Sequence, residues 1–204
     1  MSSRVEDKIL SYVSRETYEK YKLYMQLIEN WNRQTSLIQI DTLANFMERH
    51  ILDSLQLLSI MDISKNTIDI GTGAGFPGMV LAIAGVKKIT LCDSNRRKTV
   101  FLHEIQRELK VDVNIVCSRV ESLSPCHFEQ VITRACSELS TLLEHTLYVS
   151  RETLEKPILV ALKGKSYQSE IETAQKKFNF NYEKFNSMTD RNSVILKIGE
   201  IVKL

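Results

Sequence analysis

Proline, glycine and cysteine are scarce in this 204-residue chain, with 3, 7 and 4 copies. So few prolines and glycines exclude a Pro/Gly-rich linker or a low-complexity tract, and no internal repeat is present. The cysteines are Cys92, Cys117, Cys126 and Cys136; they form no CxxC pair, and no histidine stands at zinc-site spacing from them. They read as reduced, mostly buried thiols of a cytoplasmic protein, and no metal is expected. Long apolar runs are missing: nothing approaches ~18 consecutive apolar residues, so no membrane-spanning helix is expected. The first residues, Met1 to Leu10, carry Glu6 and Asp7 without an apolar core, which does not fit a signal peptide. An excess of one charge is also missing. Lys and Arg number 27 against 25 Asp and Glu, a net charge of +2. That is too little to draw nucleic acid through the bulk field, although a local patch would be enough.

What is present is ordinary for a globular chain: 43% hydrophobic and 25% charged residues, in a length that suits one domain with a short extension. Residues 1–64 read as a helical extension packed on a catalytic domain of residues 65–204. In the extension, Ile9, Leu10 and Val13 begin one apolar stripe. Tyr21, Tyr24, Ile28 and Trp31 follow at spacings of three and four, one face of a helix. That face reads as buried packing; an aromatic surface for stacking RNA bases is the alternative. A third helix is expected from Thr42 to about Met61, with Asp41 as its N-cap.

From Thr67 onward, short apolar runs alternate with helical stretches. Strands are expected at Thr67–Ile70, Lys88–Cys92, Val113–Val116, Glu129–Thr133 and Ile158–Leu162. Helices are expected at Gly78–Ala84, Arg96–Leu109, Leu139–Tyr148 and Gln168–Lys177. The tail differs: Asn179–Phe185 and Ser193–Val202 read as strands joined by the turn-rich Met188–Asn192. The pattern predicts an α/β fold, a mostly parallel seven-stranded sheet with a C-terminal antiparallel hairpin. That is the Rossmann-like form of class I methyltransferases.

Four of the seven glycines lie between Gly71 and Gly78, in Thr67-Ile-Asp-Ile-Gly-Thr-Gly-Ala-Gly-Phe-Pro-Gly78. A strand enters, Gly71, Gly73 and Gly75 turn, and Pro77 can open the next helix at its first position. Read from Gly73 the spacing is GxGxxG, which fits a dinucleotide pyrophosphate. Three features favour S-adenosylmethionine. Asp69 at the strand end can orient the loop and face a cationic methionine moiety, whereas it would repel a pyrophosphate. The glycines begin at Gly71 as GxGxG. Dinucleotide domains often begin at this strand, whereas here about 65 residues precede it.

Asp93 ends the next strand, where a carboxylate can accept hydrogen bonds from two ribose hydroxyls. An N-cap role for the helix after Ser94 is its alternative. Val120 can wall an adenine and Glu121 can accept from an amino group, or Glu121 is a surface carboxylate. The loop Thr133-Arg134-Ala-Cys-Ser137 lacks the polar-Pro-Pro-aromatic motif of amino-group methyltransferases. Cys136 is the one candidate for a cytosine-C5 nucleophile, set against a buried thiol.

The residues Asn30-Trp-Asn32, Arg49-His-Ile-Leu-Asp-Ser-Leu55, Asp69 to Gly78, Leu91-Cys-Asp-Ser-Asn95, Lys98 with Phe101-Leu102, Arg119-Val-Glu121, Thr133-Arg-Ala135 and Ala161-Leu-Lys-Gly164 together resemble the glucose-inhibited division protein B family. Those are bacterial 16S ribosomal RNA guanine-N7 methyltransferases, and the resemblance covers nearly the whole chain. Two segments depart from the family: Ser36-Leu37-Ile38 where Asn-Leu-Thr is common, and Arg134-Ala-Cys136 where Arg-Ala-Phe is common. The resemblance implies cofactor contacts from Gly71, Phe76, Val120, Glu121 and Arg134, to which the glycine turn and the next strand add Gly73 and Asp93. Arg134 is also expected to position the reacting groups, with a phosphate-binding or surface arginine as the alternative. It implies S-adenosylmethionine as methyl donor and S-adenosylhomocysteine as product. The implied substrate is a guanine near the decoding region of 16S RNA, free or in the 30S subunit or its precursor. A cytoplasmic monomer without membrane contact is expected.

Guanine N7 carries a lone pair and no proton, so such an enzyme needs no general base. RNA contacts are expected from Arg96, Arg97, Lys98, Lys163 and Lys165, each otherwise a solvated cation. His50 and Asp53 share a helical face, as a strut to the Gly loop, a substrate contact or an exposed polar pair. Rival readings are a methyltransferase for a small molecule or protein, a non-catalytic S-adenosylmethionine or dinucleotide binder, and an NAD-dependent oxidoreductase.

Overall fold

The structure is a computed structural model that describes residues 3–124, 127–134 and 136–204. Cys126, and Ala135 of the loop after the fourth strand, lie outside the described residues.

Seven strands form one sheet in the order β3-β2-β1-β4-β5-β7-β6. They are β1 (Thr67–Ile70), β2 (Ile89–Asp93), β3 (Asn114–Cys117), β4 (Gln130–Arg134), β5 (Ile158–Lys163), β6 (Phe178–Asn186) and β7 (Val194–Lys203). The first five pair in parallel. β7 runs antiparallel between β5 and β6, with an irregularity in β6 between Asn179 and Asn181. The expected mostly parallel sheet with its terminal hairpin is therefore present. Several strands sit one residue later in the chain than their apolar runs suggested. β1 and β2 are buried along their whole length, as continuous Ile/Leu/Thr runs in a sheet covered on both faces should be.

The helices are α1 (Ser3–Leu10), α2 (Arg15–Asn32), the single turn α3 (Asp53–Leu55), α4 (Gly78–Ile83), α5 (Arg96–Leu109), α6 (Leu139–Val149) and α7 (Tyr167–Ala174). Ser14 caps α2 by accepting from the Thr17 amide, and Asn95 caps α5 by accepting from the Arg97 and Lys98 amides. Asp93 is therefore not the cap of α5.

The tyrosine stripe of α2 is packing. Tyr21, Tyr24 and Ile28 are fully buried, each removing enough apolar surface to contribute about 1.5–3 kcal/mol. Tyr21 donates its hydroxyl to the Val80 carbonyl (2.9 Å), and Tyr24 donates to the Ala74 carbonyl. The Tyr24 ring stacks on Phe76 at 5.6 Å and on Phe101 at 6.4 Å. α2 thereby lies against the glycine loop itself.

The expected helix from Thr42 to Met61 is overturned. Residues Ile40–Asn45 form a 3₁₀ helix, Met47–Leu52 a π-helix, then come α3 and a second 3₁₀ stretch, Gln56–Ser59. Asp41 caps nothing; Gln39 holds the entry position, and its carbonyl accepts from the Thr42 amide and hydroxyl. The π turn is closed by the Asp53 amide donating to the Glu48 carbonyl. Such widened turns occur where side chains, rather than the backbone ladder, fix the geometry. Here those side chains are His50 and Asp53, both drawn towards Arg134.

Candidate active site

β1 meets β4 where the sheet order reverses, so the loops leaving both strands open the crevice in which α/β sheets bind ligands. The β1 loop crosses to β2 through amides of Gly71 and Thr72 that donate to the Cys92 carbonyl. Gly71 and Gly75 have φ of +67° and +99°. A Cβ on Gly71 would lie 2.2 Å from Cys136 Sγ, and one on Gly75 2.3 Å from Tyr24 Oη. Any side chain at either position would displace a wall of the loop. Pro77 sits one position ahead of α4 and Gly78 begins it. The reason is Asp69: its Oδ2 accepts from the Gly78 amide at 2.8 Å and from the Thr72 hydroxyl at 2.6 Å.

Asp69 is fully buried, and its Oδ1 has no partner among the described residues. Burial pushes its carboxyl up to about 7, against the two hydrogen bonds that pull it down. A buried acceptor atom without a donor, under a glycine loop, suits a cationic ligand group. One strand over, Asp93 is 8% exposed; its Oδ1 accepts from the Asn95 amide and its Oδ2 from the Gly73 amide at 2.9 Å. The carboxylate thus reaches from β2 to the glycine loop. Val120 and Glu121 lie in a 3₁₀ turn after β3. The Glu121 side chain is 62% exposed, pairs with His145 Nε2 at 3.1 Å, and is held below the usual carboxylate range by its own backbone amide and by His145.

Arg134 ends β4 on the other side of β1. Its Nη1 donates to the Arg49 carbonyl (2.9 Å) and to Asp53 Oδ2 (3.3 Å), and its Nη2 donates to His50 Nδ1 at 2.8 Å. The guanidinium carbon stands 4.9 Å from the Phe76 ring centre. His50 stacks on the same ring at 4.6 Å. The Phe76 ring is therefore enclosed by His50, Arg134 and Tyr24. His50 is 7% exposed; burial, then Arg134 and Arg49, hold its imidazole down at about 3. It packs on the ring of the glycine loop and does not lie in an exposed polar pair. Asp53 Oδ1 in turn accepts from Thr189 and Gln56, tying the turn between β6 and β7 to this cluster. Beside it opens a cavity of about 500 Å³ lined by Gln39, Thr42, His50, Asp53, Arg134 and Gly164.

Two expectations are corrected here. Lys163 is not a solvated RNA contact: it is 7% exposed, donates to the Ser137 carbonyl at 2.8 Å and pairs with Glu170 at 2.5 Å. A lysine this enclosed needs its carboxylate, and the pair fixes the loop that follows Arg134. Of the thiols, Cys92 is buried, whereas Cys117 and Cys136 are exposed. Burial of its sulfur raises the Cys136 thiol, the reverse of what a nucleophile needs. Sequence reasoning assigns no functional role to Gln39, Thr42, Gln56 or His145; Thr42 and Gln56 reach the cluster through His50 and Asp53, eight and three residues away, in the irregular turns of the 40–59 segment. Among the described residues, no group of three His, Cys, Asp or Glu side chains gathers where a metal could sit, and no helix is long and apolar enough to cross a membrane.

Residues 17–196 match the family model described as GidB, rRNA small subunit methyltransferase G. Ribosomal RNA small subunit methyltransferase G of Orientia tsutsugamushi (strain Ikeda) is 41% identical over 188 residues, 91% of this chain and 92% of its own. The protein of the same name from Rickettsia prowazekii (strain Madrid E) is 39% identical over 194 residues, 94% of this chain and 98% of its own. Among solved structures, a SAM dependent methyltransferase from Aquifex aeolicus superposes with a TM-score of 0.55 at 13% identity, covering 74% of this chain and 90% of that one. The last likeness is one of fold. With 180 consecutive residues matched by the family model and relatives of this identity along nearly the full length, the chain belongs to the rRNA small subunit methyltransferase G family.

Proposed function

We propose that the protein transfers the methyl group of S-adenosylmethionine to N7 of a guanine in small-subunit ribosomal RNA. The observation that carries this reading is the glycine loop at the sheet's reversal point, flanked by Asp93 on one side and Arg134 on the other, in a chain of this family.

The residues present suit the cofactor. Asp93 would take the ribose hydroxyls, Val120 and Glu121 the adenine edge, and Gly71 and Gly73 the close backbone approach. Asp69 Oδ1, the orphaned buried acceptor, lies beneath the loop where the cationic end would rest. When bound, S-adenosylmethionine supplies an electrophilic methyl on a positive sulfur. The enzyme's part is then to line up N7, carbon and sulfur, a positioning that is worth about 7–11 kcal/mol of barrier. N7 has no proton to lose, so no base is required. In keeping with this reading, burial and the neighbouring Arg134 and Arg49 hold the His50 imidazole down at about 3, and Arg134 Nη2 already approaches its Nδ1. As the guanine gains positive charge, the carboxylate of Asp53, its side chain 14% exposed beside the cavity, offers a counter-charge.

For RNA beyond the target base, Arg96 and Arg97 with the half-buried Trp31 line a groove of about 630 Å³. Neither arginine forms an ion pair among the described residues. Guanidinium groups beside an aromatic ring suit phosphates and unstacked bases. We take the active form to be a monomer, working in the cytoplasm where ribosomal subunits are made.

The deciding experiment is transfer of radiolabelled methyl to 16S RNA and to 30S particles lacking the modification, followed by nucleoside analysis. 7-Methylguanosine is expected. A different methylated nucleoside would overturn the atom assigned, and label appearing only on protein or a small molecule would overturn the substrate.

A further inference from the structure

His50 has a hydrogen-bond partner at each ring nitrogen, and these two partners fix where its proton sits. Arg134 Nη2 approaches Nδ1 at 2.8 Å. A guanidinium nitrogen donates and cannot accept, so Nδ1 is the bare, accepting nitrogen. The single ring proton is then on Nε2, which lies 3.0 Å from Thr42 Oγ1; the hydroxyl accepts. The Thr42 hydroxyl proton goes to the Gln39 carbonyl at 2.6 Å, and that carbonyl also takes the Thr42 amide. All three hydrogen bonds run in one direction, Arg134 to His50 to Thr42 to Gln39, and each strengthens the next. The ring stacks on Phe76 at 4.6 Å and packs at a tilt against Phe46 at 5.2 Å. Gln39, Thr42, His50 and Arg134 all line the 500 Å³ cavity.

We infer that His50 is a positioning residue: as a neutral Nε2–H imidazole it locks the Gln39–Thr42 turn, one wall of the cavity that would receive the target base, to the Arg134 guanidinium. The inference rests on the functional reading above, because it assigns that cavity to the guanine. It explains why an imidazole, with two nitrogens of opposite role on one rigid ring, stands at this point. A cation here would set two N–H groups against each other beside Arg134, with Arg49 and Asp53 the other charged groups at hand, and the relay would break. Burial and the two arginines disfavour that state, holding the ring at about 3.

The test uses the whole protein with unmodified 30S particles. His50→Asn keeps an acceptor for Arg134 but cannot reach Thr42; Thr42→Val removes the hydroxyl and keeps the shape. Each is expected to raise KM for the particle roughly tenfold, the effect of one hydrogen bond. The affinity for S-adenosylmethionine should stay within about twofold. The double variant should be little worse than either single one, because both cut the same chain. His50→Gln, whose amide extends towards Thr42, should recover part of the loss. In parallel, ¹⁵N NMR of His50 without RNA should show the neutral Nε2–H tautomer from about pH 5 to 8. An Nδ1–H tautomer, an imidazolium, additive losses, or a Thr42→Val variant with wild-type KM would each overturn the inference. If wild-type protein methylates no RNA while the spectrum shows the Nε2–H tautomer, the hydrogen-bond relay is supported and the substrate reading falls.

Discussion

Asp69 is the residue whose ionisation the fold perturbs most usefully. Its carboxyl lies near 7 in the folded chain against an ordinary 3.8, chiefly because burial disfavours the charge. A carboxyl raised by folding stabilises the folded state most below about pH 4, where it is protonated in both states. That contribution is lost as pH rises through 7. Asp69→Asn stays uncharged and can keep an oxygen for Thr72 and Gly78. The melting temperature of Asp69→Asn relative to wild type should therefore climb between pH 4 and 7, on the order of several degrees. A difference that is flat with pH, measured by thermal denaturation across that range, would refute the buried charge. At this scale the sequence showed much. The positions of Gly71, Gly73, Gly75, Asp69 and Asp93 are local facts of a strand, a turn and the next strand. It did not show that Asp93 holds the Gly73 amide, nor that His50 meets Arg134, 84 residues away in sequence. Such pairs are made by folding alone.

Among the elements, α6 and α7 are fastened to the end of β5 by one buried ion pair. Lys163 is 7% and Glu170 14% exposed, 2.5 Å apart, and Glu170 also accepts from the Leu139 amide at the start of α6. Removing one partner of such a pair leaves the other charge enclosed, at a cost of about 3–5 kcal/mol. Lys163→Met should lose stability by that amount in urea denaturation, and Lys163→Met with Glu170→Met should regain most of it. If the double variant is as unstable as the single one, the pair is not what holds these elements. Lys163 followed an apolar strand in the sequence and read as a solvated cation, because nothing local announces the glutamate seven residues on as its partner. The segment from Ile40 to Ser59 misled for a related reason. Its apolar spacing is helical, but the turns widen and tighten to bring His50 and Asp53 to Arg134 and Gln56 to the amide of Met188. Tertiary hydrogen bonds there outweigh the regular ladder.

The whole molecule depends on its first 64 residues more than a boundary drawn between them and the sheet implies. Tyr21, Tyr24, Phe46 and Leu55 share one hydrophobic core with Phe76, Leu91, Phe101 and Ile132. Taking the N-terminal part away would bare one face of that core, the tyrosines' partners included. Residues 65–204 expressed alone should show no cooperative thermal transition, whereas the full chain should unfold in one step. A sharp transition in the shorter chain would make the N-terminal part an accessory rather than an integral part of the fold. By itself the sequence determined the alternation of strands and helices, the parallel sheet with its antiparallel end, and the glycine turn with its two acidic residues. Each of these is written in periodicity and spacing within some tens of residues, where backbone geometry and burial act directly. The tertiary structure alone decided that Lys163 is a clamp, that Arg134 is gripped by Asp53 and His50, and that a cavity opens beside them. Lys163 meets Glu170 only because α7 folds back onto the end of β5, and the Arg134 cluster and its cavity form only because the 40–59 segment packs onto the sheet.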